Sequence, residues 1–249
     1  MTGPFRGEPQ LTDKCLMPAR SSSPYAEPVP NAILFDLYDT LITAPWSDLA
    51  HRWATRIGIT PDEVSRGFDT TRDVRGRGGF ESTHIETAAI VEACGVSPSA
   101  DLVADLVVSQ DEFLEAQAVP FGDAFATMES LRENGVKTAI LSNCSRSTQP
   151  VVDRLGLRDA VDKVVLSFEV GSAKPDSEIF RHALRLLDVD SGLFVDDQIA
   201  YLDGAARVGL STVQMIHPEA RNPRPPQATH DVVTSLAELA ERVNDGWWL

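Results

Sequence analysis

The sequence predicts an α/β fold, a parallel sheet with helices on both faces, and three observations point to it. Apolar runs at 32–36, 136–142, 162–167, 192–196 and 211–216 have the length and composition of buried strands. Most are separated by segments whose apolar residues recur at helical spacing, and alternating β and α elements imply parallel strands with crossover helices. Three runs end abruptly in polar residues, at Asp36, at Ser142-Asn143 and at Asp196-Asp197. Strand ends are where open α/β sheets place their chemistry.

The elements follow in order. Residues 1–30 are rich in Pro, Ser and Gly and lack apolar periodicity, which predicts a disordered leader; Met17 is an alternative start. The strand at 32–36 is followed by about a hundred residues before the next, against the dozen or so that a crossover needs. Most of that interval reads helical, at 46–57, 61–68, 82–94 and 101–118. The expected organisation is therefore a core built from 31–44 and 120–249, with an all-helical insert at 45–119. In the core, a helix at 124–133 is stopped by Asn134-Gly135. Another at 177–187 carries Ile179, Phe180, Ala183, Leu184, Leu186 and Leu187 at helical spacing. A short strand at 229–233 and a helix at 235–243 close the chain, with Trp247 and Trp248 expected as tail packing.

Composition narrows the function. A chain of 249 residues with 43% hydrophobic content buries a full core. Its formal net charge of -15 argues against nucleic acid or an anionic membrane as partner, while leaving room for a small anionic ligand in a locally basic pocket. Cys15, Cys94 and Cys144 are odd in number and lack metal-ligand spacing, so neither a disulfide framework nor a zinc site is expected and a reducing cytoplasm is. No apolar run of about 18 residues suggests a membrane span. The five histidines show no ligand spacing either.

Four stretches carry the chemistry: Phe35-Asp36-Leu37-Tyr38-Asp39-Thr40, Leu141-Ser142-Asn143, Ala173-Lys174-Pro175-Asp176 and Val195-Asp196-Asp197. A lone Asp after a strand is ordinarily a turn former or helix cap. A carboxylate, a hydroxyl with an amide, an ammonium and a carboxylate pair, in that order, are far more specific. Over residues 31 to 240 the chain resembles the haloacid dehalogenase (HAD) superfamily. The resemblance implies a Rossmann-like core and a helical cap that closes over the site. It implies Asp36 as nucleophile, Ser142 and Lys174 holding the substrate's anionic group, and Mg²⁺ bound by Asp36, the Tyr38 carbonyl and Asp196, beside Asp197.

Read from the residues, an ammonium at Lys174 offsets repulsion between an anionic nucleophile and an anionic substrate, worth roughly 4 kcal/mol per charge pair at about 4 Å. Two adjacent carboxylates facing Asp36 call for a hard cation such as Mg²⁺. Thr40 would hold the turn, and Thr40 and Asn143 are further substrate-binding candidates. In the insert, Arg72, Arg75 and Arg77 with Gly76, Gly78 and Gly79 predict a basic inter-helix loop, with Arg72 and Arg75 candidates for clamping an anion. Cys144 is expected to be a neutral neighbour, no His being near it in sequence.

Tyr38 breaks the pattern. HAD phosphatases carry a second Asp there as general acid and base, whereas a phenol with pKa near 10 is a poor base at neutral pH. The superfamily's 2-haloacid dehalogenases carry Tyr there, but they have Ser in place of Asp196 and Asp197, an acid near Tyr201 and a Tyr at Phe180. The leading expectation is a Mg²⁺-dependent phosphatase acting on a small phosphomonoester as a monomer or homodimer. The alternatives are a dehalogenase-like hydrolase and a binding protein with weak or no turnover.

Overall fold

A computed structural model describes residues 30–220 and 224–245. The expected leader, Cys15 and the two terminal tryptophans lie outside the described residues. The central sheet has six parallel strands in the order β5-β4-β1-β6-β7-β8. These are β1 (Ala32–Phe35), β4 (Lys137–Ser142), β5 (Lys163–Leu166), β6 (Leu193–Asp196), β7 (Ser211–Met215) and β8 (Asp231–Val233). The chain builds β1, β4 and β5 outward in one direction, then returns to the other side of β1 for β6, β7 and β8. The reversal leaves a crevice at the carboxyl ends of β1, β4 and β6, the position where such sheets bind ligands.

Strand alternation sorts the core into two layers. Ile33, Phe35, Ile140, Val195 and Val213 face α5 (Ala124–Glu133), α6 (Thr148–Arg154) and α11 (Leu236–Asn244). Ala32, Leu34, Ala139, Leu141 and Phe194 face α9 (Ser177–Leu187) and α10 (Ile199–Ala206). Both faces of the sheet are covered, which is why its strands read as continuous apolar runs. The short helices α7 (Leu157–Ala160) and α8 (Ser167–Val170) flank β5.

Between β1 and β4 the chain leaves and re-enters the core through β2 (Ile42–Thr43) and β3 (Val119–Pro120), an antiparallel pair that brings the two ends of the insertion together. Between them lie α1 (Trp46–Ile57), α2 (Pro61–Gly76), α3 (Thr83–Ala93) and α4 (Ala100–Gln117). Their starts are chemically marked. Thr60 and Glu63 form a capping box with Pro61 in the first turn of α2, and Ser82 and Ser99 cap α3 and α4. Trp53, Val64, Ile90, Leu106 and Phe113 form an apolar centre continuous with one face of the sheet.

The basic loop expected around Arg72 and Arg75 is instead the last turn and a half of α2. Pairs one turn apart, Arg72 with Asp69 and Arg77 with Asp73, support helix there despite the glycines. Only after Gly76 does the chain turn, and there it meets the core. Arg77 reaches Asp176 at 2.6 Å, and Arg146 donates to the Phe80 carbonyl at 2.9 Å.

Gly78 is the tightest point of this junction. Its φ is +70°, and a Cβ there would lie 2.1 Å from the Phe168 carbonyl oxygen. Left-handed backbone costs an L side chain roughly 1–2 kcal/mol before any clash. Gly78→Ala is therefore expected to lower stability by about 2 kcal/mol or more in urea denaturation. An unchanged midpoint would show that the junction is looser than described.

Candidate active site

Each strand end that meets the crevice contributes a group. Asp36 follows β1, Ser142 ends β4, Asp196 ends β6 with Asp197 after it, and Lys174 comes from the loop between α8 and α9. Lys174 is 3% exposed, and its Nζ lies 2.5 Å from Asp36 Oδ1 and 2.6 Å from Asp196 Oδ2. The rings of Phe194 and Tyr201 flank the ammonium at 5.3 and 4.9 Å. Asp36, Asp196 and Asp197 all offer carboxylate oxygens within 4.8 Å of one another.

The loop that carries Lys174 is held from two directions. Asn143 Nδ2 donates to the Lys174 carbonyl at 2.8 Å, and the Lys174 N–H donates to Asn143 Oδ1 at 2.7 Å. Gly204 on α10 lets the loop approach, since a Cβ there would sit 2.7 Å from Pro175 Cβ and 2.9 Å from its carbonyl oxygen. The Asn143 side chain thus lines the cleft while its amide holds the Lys174 backbone.

One buried cation faces three buried carboxylates, and the titration behaviour reflects that imbalance. Burial pushes the Asp36 carboxyl up to about 7, with Lys174 pulling against it and Asp196 adding to it. Burial likewise raises Asp196 to about 6. Asp197 also rises to about 6, through burial and then the charges of Asp36 and Asp39. Burial works against the Lys174 charge as well, yet Asp196 and Asp36 outweigh it and hold the ammonium above its ordinary range. The pair is locked, with negative charge in excess.

Where that excess lies matters. Asp196 accepts from Lys174 through Oδ2 and from the Gln198 N–H through Oδ1 at 2.8 Å, so both of its oxygens are engaged. Asp197 Oδ1 is buried and finds no donor among the described residues. A buried carboxylate oxygen without a donor, in a cluster short of positive charge, fits a hard divalent cation.

The remaining sequence candidates fall at different places. Tyr38 lines the cleft; its hydroxyl lies 3.4 Å from Thr148 Oγ1 and its ring packs edge-on against Trp46. Burial lifts the phenol above its ordinary range, so it stays protonated. Thr40 is fully buried, is absent from the cleft wall, and its hydroxyl has no partner among the described residues, so it belongs to the turn and not to a substrate contact. Arg75 lines the cleft, but its guanidinium donates to the Phe68 carbonyl and Thr71 and lies 3.7 Å from Glu86. Arg72 stands at the exposed rim, paired with Asp69 at 2.5 Å. Cys144 is a neutral neighbour, its thiol pushed up to about 12 by burial.

The cleft encloses about 740 Å³ between the strand ends and the inserted helices. Trp46, Leu49 and Phe68 give it an apolar wall, with Ser65, Arg72 and Gln110 beyond. Sequence reasoning missed Asp39 and Arg224, which also line it. Asp39 adopts a φ of +59° in the turn after Asp36 and accepts from Thr43. Neither residue sits in a pattern that spacing alone would single out.

A buried carboxylate at a central strand end, a lysine locked onto it and an acidic pair across the crevice define a hydrolase site on an α/β scaffold. The model of the haloacid dehalogenase-like hydrolase family matches residues 30–209, and the chain belongs to that family. It is 30% identical over 197 residues to a glyceraldehyde 3-phosphate phosphatase of Methanopyrus kandleri, covering 74% of this chain and 83% of that protein. It is 33% identical over 202 residues to a ribulose-1,5-bisphosphate 5-phosphatase of Halopiger xanaduensis, covering 73% and 83%. In three dimensions it is similar to the L-2-haloacid dehalogenase of Xanthobacter autotrophicus, with a TM-score of 0.62 at 18% identity, covering 86% of this chain and 98% of that one. Among the described residues no helix is long and apolar enough to cross a membrane.

Raised carboxyl pKa values have a definite sign in stability. Between about pH 4 and 7 the folded chain holds protons on Asp36, Asp196 and Asp197 that the unfolded chain has released, so their contribution to stability falls as pH rises. In EDTA, Asp197→Asn is expected to gain on the wild type by up to about 3 kcal/mol between pH 4 and pH 7.5. Calorimetric melting of both proteins across that range measures it, and a pH-independent difference would contradict the charge imbalance.

Proposed function

We propose that the chain is a Mg²⁺-dependent phosphatase acting on a small phosphomonoester, with Asp36 as nucleophile. The observation that carries this reading is the buried Asp197 oxygen, without a donor among the described residues, beside Asp36 and Asp196. Halide displacement needs no cation, and a third buried carboxylate would only add cost to it. The two relatives named as phosphatases support the same choice.

In this reading Asp36, Asp196 and Asp197 are the carboxylates that would hold the ion, and Asp196 also keeps Lys174 in place. Mg²⁺ would offset the charge between the nucleophile and the phosphoryl oxygens. Lys174 holds the Asp36 carboxylate by one oxygen, and the cation's charge would complete its ionisation near neutral pH. Asp36 attacks phosphorus as the ester P–O bond breaks and the departing oxygen takes a proton to leave as the alcohol; water then attacks the aspartyl phosphate, gives up a proton, and frees inorganic phosphate and the Asp36 carboxylate. Ser142 lines the cleft at the end of β4, where its hydroxyl donates to a phosphoryl oxygen. The helices α1 to α4 act as a cap that excludes water and selects the organic part of the substrate.

Tyr38 sets the limit of this site. Protonated and held near Thr148, it serves as a proton donor at most and not as the base that activates water. General acid-base help is worth about 10² to 10⁴ in rate. The wild type is therefore expected to be slow, and most active on esters with good leaving groups.

Phosphate release from a panel of phosphomonoesters tests the reading. Activity is expected with Mg²⁺, to vanish in EDTA, and to fall by about 10³ or more in Asp36→Asn. Halide release from 2-chloropropionate without metal would replace the phosphatase with a dehalogenase. Tyr38→Asp is expected to raise kcat for phosphate release by about tenfold or more; a fall would show that the tyrosine takes part in turnover.

A further inference from the structure

Beyond β7 the chain returns across the carboxyl end of the sheet, and one buried side chain ties that return to the site. Gln214, fully buried on β7, donates through Nε2 to the Asp197 carbonyl at 3.3 Å and to the Pro225 carbonyl at 3.1 Å. Its Oε1 accepts from the Gln227 N–H at 3.0 Å. A single amide thus fixes the 225–227 strap against the strand end that bears the acidic pair. At the head of the strap stands Arg224, half exposed on the cleft wall, with Nε 3.4 Å from Asp197 Oδ2.

Arg224 differs from the other cations of the cleft. Lys174 is locked between Asp36 and Asp196, Arg75 is engaged with Phe68, Thr71 and Glu86, and Arg72 is paired with Asp69 at the rim. Among the described residues the polar contact of Arg224 is one long hydrogen bond to a carboxylate that the proposed cation would also claim. Three carboxylates against Lys174 leave the cluster at -2; a divalent cation brings it to zero, and only a further cation makes it attract an anion. A guanidinium has the planar fork of donors that matches a phosphate edge.

We propose that Arg224 is a substrate-binding residue that grips the phosphoryl oxyanion from the strap, outside the four motifs that define the site. The inference rests on the phosphatase reading above, and it assigns the residue to binding and not to bond breaking. Removing it therefore moves KM and product affinity while kcat stays nearly unchanged.

The test is calorimetric titration of the whole chain with inorganic phosphate at saturating Mg²⁺, beside steady-state kinetics on the best phosphomonoester. Arg224→Ala is expected to bind phosphate about tenfold more weakly and to raise KM by a similar factor, with kcat within about threefold. Arg224→Lys should recover part of the loss. Arg185→Ala removes the same charge from the exposed face of α9, where Arg185 pairs with Glu178, and should behave as wild type. Equal phosphate affinity and KM in Arg224→Ala and wild type would overturn the inference, as would an equal loss in Arg185→Ala. A wild type that neither binds phosphate nor releases it from any ester overturns the phosphatase reading and this inference together. Release by the wild type with no effect of Arg224→Ala overturns this one alone.

Discussion

The site depends on one ammonium held between two strands. Lys174 bridges Asp36 after β1 and Asp196 at the end of β6, and it does so without appreciable exposure. Taking a lysine and two carboxylates out of water is costly, and attraction repays it only when the geometry is tight. The surrounding structure supplies that geometry. Asn143 pins the Lys174 backbone through two hydrogen bonds, and the absence of a side chain at Gly204 lets Pro175 settle against α10. Because Asn143 follows β4, the strands on both sides of β1 are tied to the same lysine.

This dependence explains which parts of the chain were legible from sequence. The strand ends stood out because an apolar run buried on both faces must stop where chemistry begins, as at Phe35-Asp36 and Val195-Asp196. The insertion was legible because about a hundred residues cannot be a crossover. Its two-residue strands β2 and β3 were not, since a pair that short has no periodicity to read. The extension of α2 past Phe68 was hidden by Gly67, Gly76 and a run of charges that also describes a loop. What selects helix there is pairing one turn apart, of Arg72 with Asp69 and of Arg77 with Asp73, together with docking against the core. Asn143 and Thr40 lay in the right motifs, but Asn143 on the cleft wall also holds the Lys174 backbone, and Thr40 is buried away from the cleft. Nothing in a linear sequence separates a group that touches the ligand from one that fixes the residue beside it. Gln214 and Arg224 were out of reach for a related reason: a glutamine in a strand matters here only because the chain folds back 11 residues later onto its amide.

The charge of the chain and the charge of the site work at different ranges. At physiological ionic strength a net charge of -15 is screened within about 8 Å, so it governs solubility and long-range encounter more than the chemistry of a buried cluster. Within the cleft, individual groups decide. Asp36 titrating near 7 means that the nucleophile stays fully ionised near neutral pH only if further positive charge joins Lys174. The same excess of carboxylate that destabilises the fold is what would give the site its affinity for the proposed cation.

Tyr38 then shapes what such a site can do. It packs against Trp46, lies beside Thr148 and is buried enough that its proton is hard to remove. An aspartate at this position would add a fourth carboxylate to a cluster already short of positive charge; a phenol adds none. A tyrosine avoids that repulsion but supplies no general base, and its ring packs edge-on with Trp46 on the cleft wall. In the proposed phosphatase, water attacking an aspartyl phosphate would then lose its proton to a group other than residue 38. With Asp36 as the proposed nucleophile and Asp197 on the proposed cation, the cleft wall still carries Asp39, Asp69 and Asp73, and Asp39, one residue on and turned by its positive φ, is the one nearest in sequence to the gap.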